Sequence, residues 1–250
     1  MTRTRRATVA MLLVGLAIFS SLYSTQAILP TLVRNMGLSS TAAAMTVSAA
    51  TGALALCVVP ASILSERFGR GRILLISAVA ATGVGLIVPL AQEGWQLIVV
   101  RGLQGALLSG APATAMAWLS EELDDKALPR AMGLYIAGTS VGGLTGRLIP
   151  TGLVEISTWR WALFGSALVS LAFAITSWLL LPTQRNFRPK SIHLKTESRA
   201  LLGHWANRDL ALLFLTAFLS MGTFVSMYNF LTFRLIDDFG LAPSLAGLAF

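Results

Sequence analysis

Residues 62–74 read Ser-Ile-Leu-Ser-Glu-Arg-Phe-Gly-Arg-Gly-Arg-Ile-Leu. This stretch joins two runs, 35–65 and 73–92, that contain no Asp, Glu, Lys or Arg. A helix that crosses a bilayer needs about 20 mainly apolar residues. The two runs therefore read as spanning helices, and Glu66, Arg67, Arg70 and Arg72 mark the turn between them. Basic residues concentrated in so short a connection point to the cytoplasmic side. Gly69 and Gly71 can supply the backbone angles for a reversal of about eight residues.

Working outward, the same pattern repeats. Residues 7–33, 102–120, 161–184 and 210–233 are also free of charge. Of the 250 residues, 55% are hydrophobic and 12% charged. Soluble domains carry about 25% charged residues, so lipid is the expected surroundings of this chain. Helices are predicted over 7–32, 42–64, 73–91, 95–119, 129–154, 159–181 and 210–233. The fold class is an all-α membrane protein. Residues 1–182 form a six-helix bundle, 183–209 a basic cytoplasmic linker, and 210–250 the start of a second, incomplete bundle.

The net charge of +8 follows from topology and requires no nucleic acid. With the N-terminus inside, alternate connections place 14 Lys and Arg inside and three, Arg34, Arg160 and Arg234, outside. That bias is the positive-inside rule. The N-terminus has a basic-then-apolar shape, but its apolar run exceeds a signal-peptide core of about 7–15 residues. It reads as an uncleaved first helix. Cys57 is the single cysteine, so an intrachain disulfide is excluded, and Cys57 reads as a small apolar filler.

Two arginines fall inside predicted spans. Arg101 lies about two turns into the fourth helix, with Gln104, Gly105, Ser109 and Pro112 along one helical face. A charge in the bilayer costs several kcal/mol unless it finds a partner or water. This stripe therefore faces other helices or a wet cavity. Arg147, near the outer end of the fifth helix, either attracts an anionic group or simply reaches the interface; the residues leave both open. Gly138, Gly142 and Gly146 recur every four residues, spacing that lets another helix backbone approach. Tyr23 and Gln26 in the first helix and Asn229 in the seventh offer polar groups within apolar runs. Trp159-Arg160-Trp161 reads as an interfacial anchor.

Residues 62–74 and 97–105 together resemble two signatures of the major facilitator superfamily. Leu64, Arg67, Phe68, Gly69, Arg70 and Leu74 fit the helix 2–3 motif. Ser62, Glu66 and Gly71 depart from it, and Arg72 stands where a second basic residue is displaced by one. Leu97, Arg101, Gln104 and Gly105 fit the helix 4 motif at every position. The glycine-rich fifth helix is similar to that of antiporters, with Thr139 in place of the usual proline. The resemblance implies two six-helix halves that alternate access to a midplane cavity, and proton-coupled efflux of a small molecule. It implies Arg101 and Gln104 in proton coupling, with Gln26, Tyr23 and Asn229 lining the cavity. Glu66, Arg67, Gly69, Arg70 and Arg72 would form a conformational loop motif, Glu66 locking one state against the second half. The implied location is the inner membrane.

Partners are then a small-molecule substrate, protons and the bilayer. The alternatives are a proton-coupled uptake symporter or a non-transporting seven-helix receptor or scaffold. No cofactor or metal is expected, and no enzyme activity. His193 and His204 both lie in the linker, and no phosphate-binding Gly-x-x-x-x-Gly-Lys-Ser/Thr loop is present.

Overall fold

The computed structural model describes residues 1–189, 203, 206–241 and 245. The side chains of Tyr228, Asn229 and Thr232 lie outside that description, as do most of the expected linker and the start of an eighth helix. The described residues form α1 (Arg3–Tyr23), α2 (Leu29–Met36), α3 (Ser40–Phe68), α4 (Arg70–Gly85), α5 (Gly94–Leu108), α6 (Gly110–Glu122), α7 (Leu128–Ile156), α8 (Trp159–Leu180) and α9 (Arg208–Asp237). No strand occurs among them.

Five segments are long and apolar enough to cross a membrane: Arg3–Met36, Ser40–Phe68, Arg70–Leu90, Trp159–Leu180 and Arg208–Met227. The other two spans expected from the sequence are the α5–α6 pair and α7. The pair is cut into two short pieces, and α7 carries Arg130, Arg147 and Glu155 within its 29 residues. Large apolar side chains such as Leu56, Ile76, Val99 and Trp178 are exposed on the outside of the bundle, where acyl chains replace water.

Three boundaries differ from the sequence expectation, each for a backbone reason. The first helix is not continuous over 7–32. It ends at Tyr23, passes through a 3₁₀ turn (Gln26–Ile28) and restarts as α2. Pro30 has no N–H to offer the Gln26 carbonyl, so the ladder cannot run through. The fourth helix breaks at Ser109, where Pro112 cannot bond the Leu108 carbonyl. The turn of about eight residues collapses to one, because α3 runs to Phe68 and α4 starts at Arg70. Gly69 alone makes the reversal, with φ 103°, in a region that L side chains rarely enter. Gly71 is helical, and a Cβ there would lie 2.9 Å from Trp118 Nε1. It is needed for close approach, not for the turn.

The core has two parts. One surrounds Met11, Ile18, Leu74, Leu108, Trp118 and Leu119, near the end that carries Arg70. The other surrounds Ile28, Leu29, Leu32, Val47, Leu97 and Trp159 at the opposite end, where Phe233 of α9 packs against it. The most extensive helix contact is that of α1 with α7. Gly142 sits where a Cβ would be 2.8 Å from the Gly15 carbonyl, and Gly146 where it would be 2.5 Å from that of Ser20. Gly138 meets the Leu12 carbonyl in the same way. The four-residue glycine spacing thus forms a smooth seam along one face of α1.

Candidate functional site

Arg101 is completely buried. Its Nε donates to the Thr46 carbonyl at 3.3 Å, and its Nη1 to the Ser21 carbonyl at 3.0 Å and to Gln104 Oε1 at 2.5 Å. Nη2 donates to the Leu22 carbonyl. None of these partners is a carboxylate. The break after Tyr23 makes the arrangement possible. The last carbonyls of a helix lack intrahelical donors, and Ser21 and Leu22 lie in the last turn of α1. The guanidinium bonds there beside Ser24 Oγ, which also donates to the Ser21 carbonyl at 3.0 Å, and its charge sits at the negative end of the α1 dipole.

Gln104 completes the centre. Its Nε2 donates to Ser21 Oγ at 2.7 Å and to the Ala81 carbonyl at 3.2 Å. Arg101 and Gln104 thereby tie α1, α3 and α4 to α5. Beside them is a space of about 10 Å³ whose lining mixes Ser21, Ser24, Gln104, Ser166 and Ser170 with the apolar Val88, Leu163 and Ala167, about the room one water needs. Ser170 Oγ pairs with Ser20 Oγ at 2.8 Å, while the buried Ser166 Oγ has no partner among the described residues.

A second cluster lies beyond the break. Arg147 Nε donates to Gln26 Oε1 at 2.9 Å, and Nη1 to the Gly143 carbonyl at 3.1 Å. Its guanidinium carbon stands 4.5 Å from the centre of the Tyr23 ring, a cation–π geometry. Arg147 is 8% exposed, so it is held inside the bundle and does not reach the interface. The structure thus brings Tyr23 and Gln26 together with Arg147, and Arg101 with Gln104. Both groups adjoin the same α1 break. Asn229 falls in α9, its side chain outside the described residues.

The loop motif forms a third group. Arg70 Nε donates to Glu121 Oε1 at 2.5 Å, and Arg70 Nη2 lies 3.5 Å from Glu66 Oε1. Arg67 stands 5.5 Å from the Phe68 ring centre, and Arg72 is exposed. Glu122 is paired with Arg3 and accepts from the Arg185 and Asn186 amides, both at 2.7 Å. Glu121 and Glu122 are functional-site neighbours that the sequence motifs do not mark; the signal that points to them is two adjacent acids in the last turn of a helix that ends on the arginine-rich side.

Profile comparison matches residues 11–250 to the Major Facilitator Superfamily. The chain belongs to the major facilitator superfamily. It is 36% identical over 244 residues to the inner membrane transport protein YnfM of Escherichia coli (strain K12), covering 97% of this chain and 58% of that protein. It is 34% identical to the uncharacterized MFS-type transporter YybF of Bacillus subtilis (strain 168), covering 93% and 57%. Among solved structures it superposes on a bacterial homologue of the lysosomal transporter Spinster with TM-score 0.77 at 16% identity, covering 100% of this chain and 59% of that one. The chain therefore spans somewhat under two thirds of these relatives. As a major facilitator chain it is a multi-pass, all-α membrane protein of a transporter family, not of an enzyme family.

Proposed function

We propose that this chain supplies the first six-helix half, and the beginning of the second, of a secondary transporter that exports a small molecule at the expense of a proton gradient. In this reading the N-terminus and the 183–209 linker face the cytoplasm of an inner-membrane protein, and 1–182 is one rocking body. Such transporters hold their substrate near the midplane between two halves. Arg101 and Gln104 carry coupling, while Tyr23, Gln26 and Asn229 line the cavity. Glu66, Arg67, Gly69, Arg70 and Arg72 form the conformational loop, and Gly138, Gly142 and Gly146 hold α7 on α1.

The observation that carries this reading is Arg101, fully buried yet held by neutral carbonyls and an amide. A hydrogen bond to an ionised acceptor is roughly twice as strong as one to a neutral group. Any ionised acceptor brought within reach of the guanidinium competes with the α1 carbonyls for it, so a change of charge beside Arg101 changes how α1, α3 and α5 are tied together.

Reconstitution of the full-length product in proteoliposomes with an imposed pH gradient tests this. Saturable, gradient-dependent flux is expected, abolished in Arg101→Ala although the variant still inserts. Arg101→Lys is also expected to be impaired, because an ammonium cannot reproduce the planar fork that reaches Thr46, Ser21 and Leu22 together. Normal proton-coupled flux in Arg101→Ala would exclude the assignment.

A further inference from the structure

We infer that the corner where α1 begins and α8 ends is a binding site for the headgroup of an anionic phospholipid. An open pocket of about 330 Å³ lies there, with Arg3, Arg6 and Arg185 in its lining beside Met1, Leu181, Pro182 and Thr183. Among the described residues, that lining contains no Asp or Glu. Three guanidiniums are thus gathered round one space, and an anion placed there relieves their mutual repulsion.

Each arginine is brought there for a separate reason. Arg6 Nε donates to the Leu180 carbonyl at 3.2 Å, and Nη2 to that of Leu179 at 3.3 Å. These carbonyls belong to the last turn of α8 and lack intrahelical donors. The two bonds use part of a fork of five N–H donors, and Arg6 meets no carboxylate among the described residues. Arg3 is paired with Glu122. The same carboxylate accepts from the Arg185 amide at 2.7 Å, which draws the backbone of Arg185 toward the start of α1. The Arg185 side chain makes no hydrogen bond or ion pair among the described residues. Glu121, next along, is engaged by Arg70 and Gln184. The carboxylate bonded to this corner is Glu122 alone among the described residues, against three guanidiniums.

The surface below the pocket favours a lipid over a free phosphate. Leu168, Ile175 and Leu179 are exposed along one face of α8, with Trp178 beside them. Leu179 also supplies a carbonyl that holds Arg6, so the apolar stripe begins where the arginine cluster ends. Arginines at the membrane end bind a phosphate, and the stripe below receives its acyl chains. Tryptophan at that level suits the headgroup boundary.

The probes are dioleoylphosphatidylglycerol, zwitterionic dioleoylphosphatidylcholine and soluble glycerol 3-phosphate, each added to the full-length product in detergent. Native mass spectrometry and thermal unfolding read the binding. Phosphatidylglycerol is expected to be retained and to raise the unfolding temperature. Phosphatidylcholine should do so much less, and glycerol 3-phosphate at equal concentration not at all. One arginine beside anionic headgroups contributes about a factor of five in affinity. Arg185→Gln, which removes no bond of the described fold, should therefore weaken phosphatidylglycerol binding about fivefold. The double variant Arg6→Gln, Arg185→Gln should weaken it about twenty-fivefold by the same rule. Arg185→Gln alone decides if the double variant does not fold. Arg130→Gln removes a charge in the first turn of α7, outside this pocket, and should leave binding unchanged. Equal retention of the two lipids, as coverage of the α8 stripe by the second half would give, overturns the inference. So do unchanged binding in Arg185→Gln and an equal loss in Arg130→Gln. Glycerol 3-phosphate binding as tightly as the lipid would make the ligand a soluble phosphate and overturn it too.

Discussion

Arg70 Nε donates to Glu121 Oε1 at 2.5 Å, joining the first residue of α4 to the last turn of α6. The other carboxylate oxygen, Glu121 Oε2, accepts from Gln184 Nε2 at 3.0 Å, and Gln184 Oε1 accepts from the Gly71 amide at 3.2 Å. The ring closes on the helix 2–3 motif and connects it to the chain that leaves α8. A motif legible as a charged loop is thus one corner of a joint among three helix ends.

That joint predicts a charge-swap result. Arg70→Glu or Glu121→Arg alone should lower thermal stability by a few degrees, since partly exposed pairs contribute about 1 kcal/mol or less. Both should slow transport more than they destabilise. The double swap should recover most of the stability. A double variant no better than the worse single one would show that the pair does not act as a unit.

The α1–α7 seam predicts a contrast between glycines. Gly142→Ala would set a Cβ 2.8 Å from the Gly15 carbonyl, and Gly146→Ala one 2.5 Å from that of Ser20. Each should cost about 1–3 kcal/mol through forced separation of the helices. Gly133→Ala, with nothing within 4 Å, should be neutral or stabilise by about 0.5–1 kcal/mol. Thermal unfolding in detergent measures all three, and equal effects at Gly133 and Gly142 would refute the seam.

Gln104 predicts effects on both stability and turnover. Gln104→Glu puts a carboxylate where Oε1 now accepts from Arg101. The charged pair should hold the guanidinium more firmly and slow flux, while the loss of the Nε2 bonds to Ser21 Oγ and the Ala81 carbonyl offsets the gain in stability. Gln104→Leu should lower stability by about 1–3 kcal/mol, because Arg101 Nη1 and Ser21 Oγ lose a partner in a buried site. Unchanged flux in Gln104→Glu would show that release of Arg101 is not part of the cycle.

Orientation is tested by labelling. In a Cys57→Ser background, an impermeant thiol reagent applied outside intact cells should modify Asn35→Cys, in the α2–α3 corner, and spare Thr2→Cys. The expectation follows from the basic bias of alternate connections. Labelling of Thr2→Cys from outside would invert the topology.

The all-α membrane class, a reversal within 62–74 and the family were legible in the sequence, because the bilayer demands long uncharged runs and short charged turns. Arg101 was visible for the same reason, as a charge that needs a partner within apolar surroundings. Tertiary structure alone supplied the partners. The carbonyls of Ser21 and Leu22 become acceptors only because α1 breaks after Tyr23, and carbonyls carry no mark in a sequence. Arg147 could be placed near the outer end of its helix, but its choice of Gln26 and Tyr23 over the interface depends on how closely α7 settles on α1. Glu121 and Glu122 carry no motif in the sequence, and only the meeting of α4, α6 and the chain after α8 makes them the joint. Local sequence fixes which segments enter the membrane. Which polar groups meet there is decided by helix breaks and approach distances, properties of pairs of segments that no single stretch encodes.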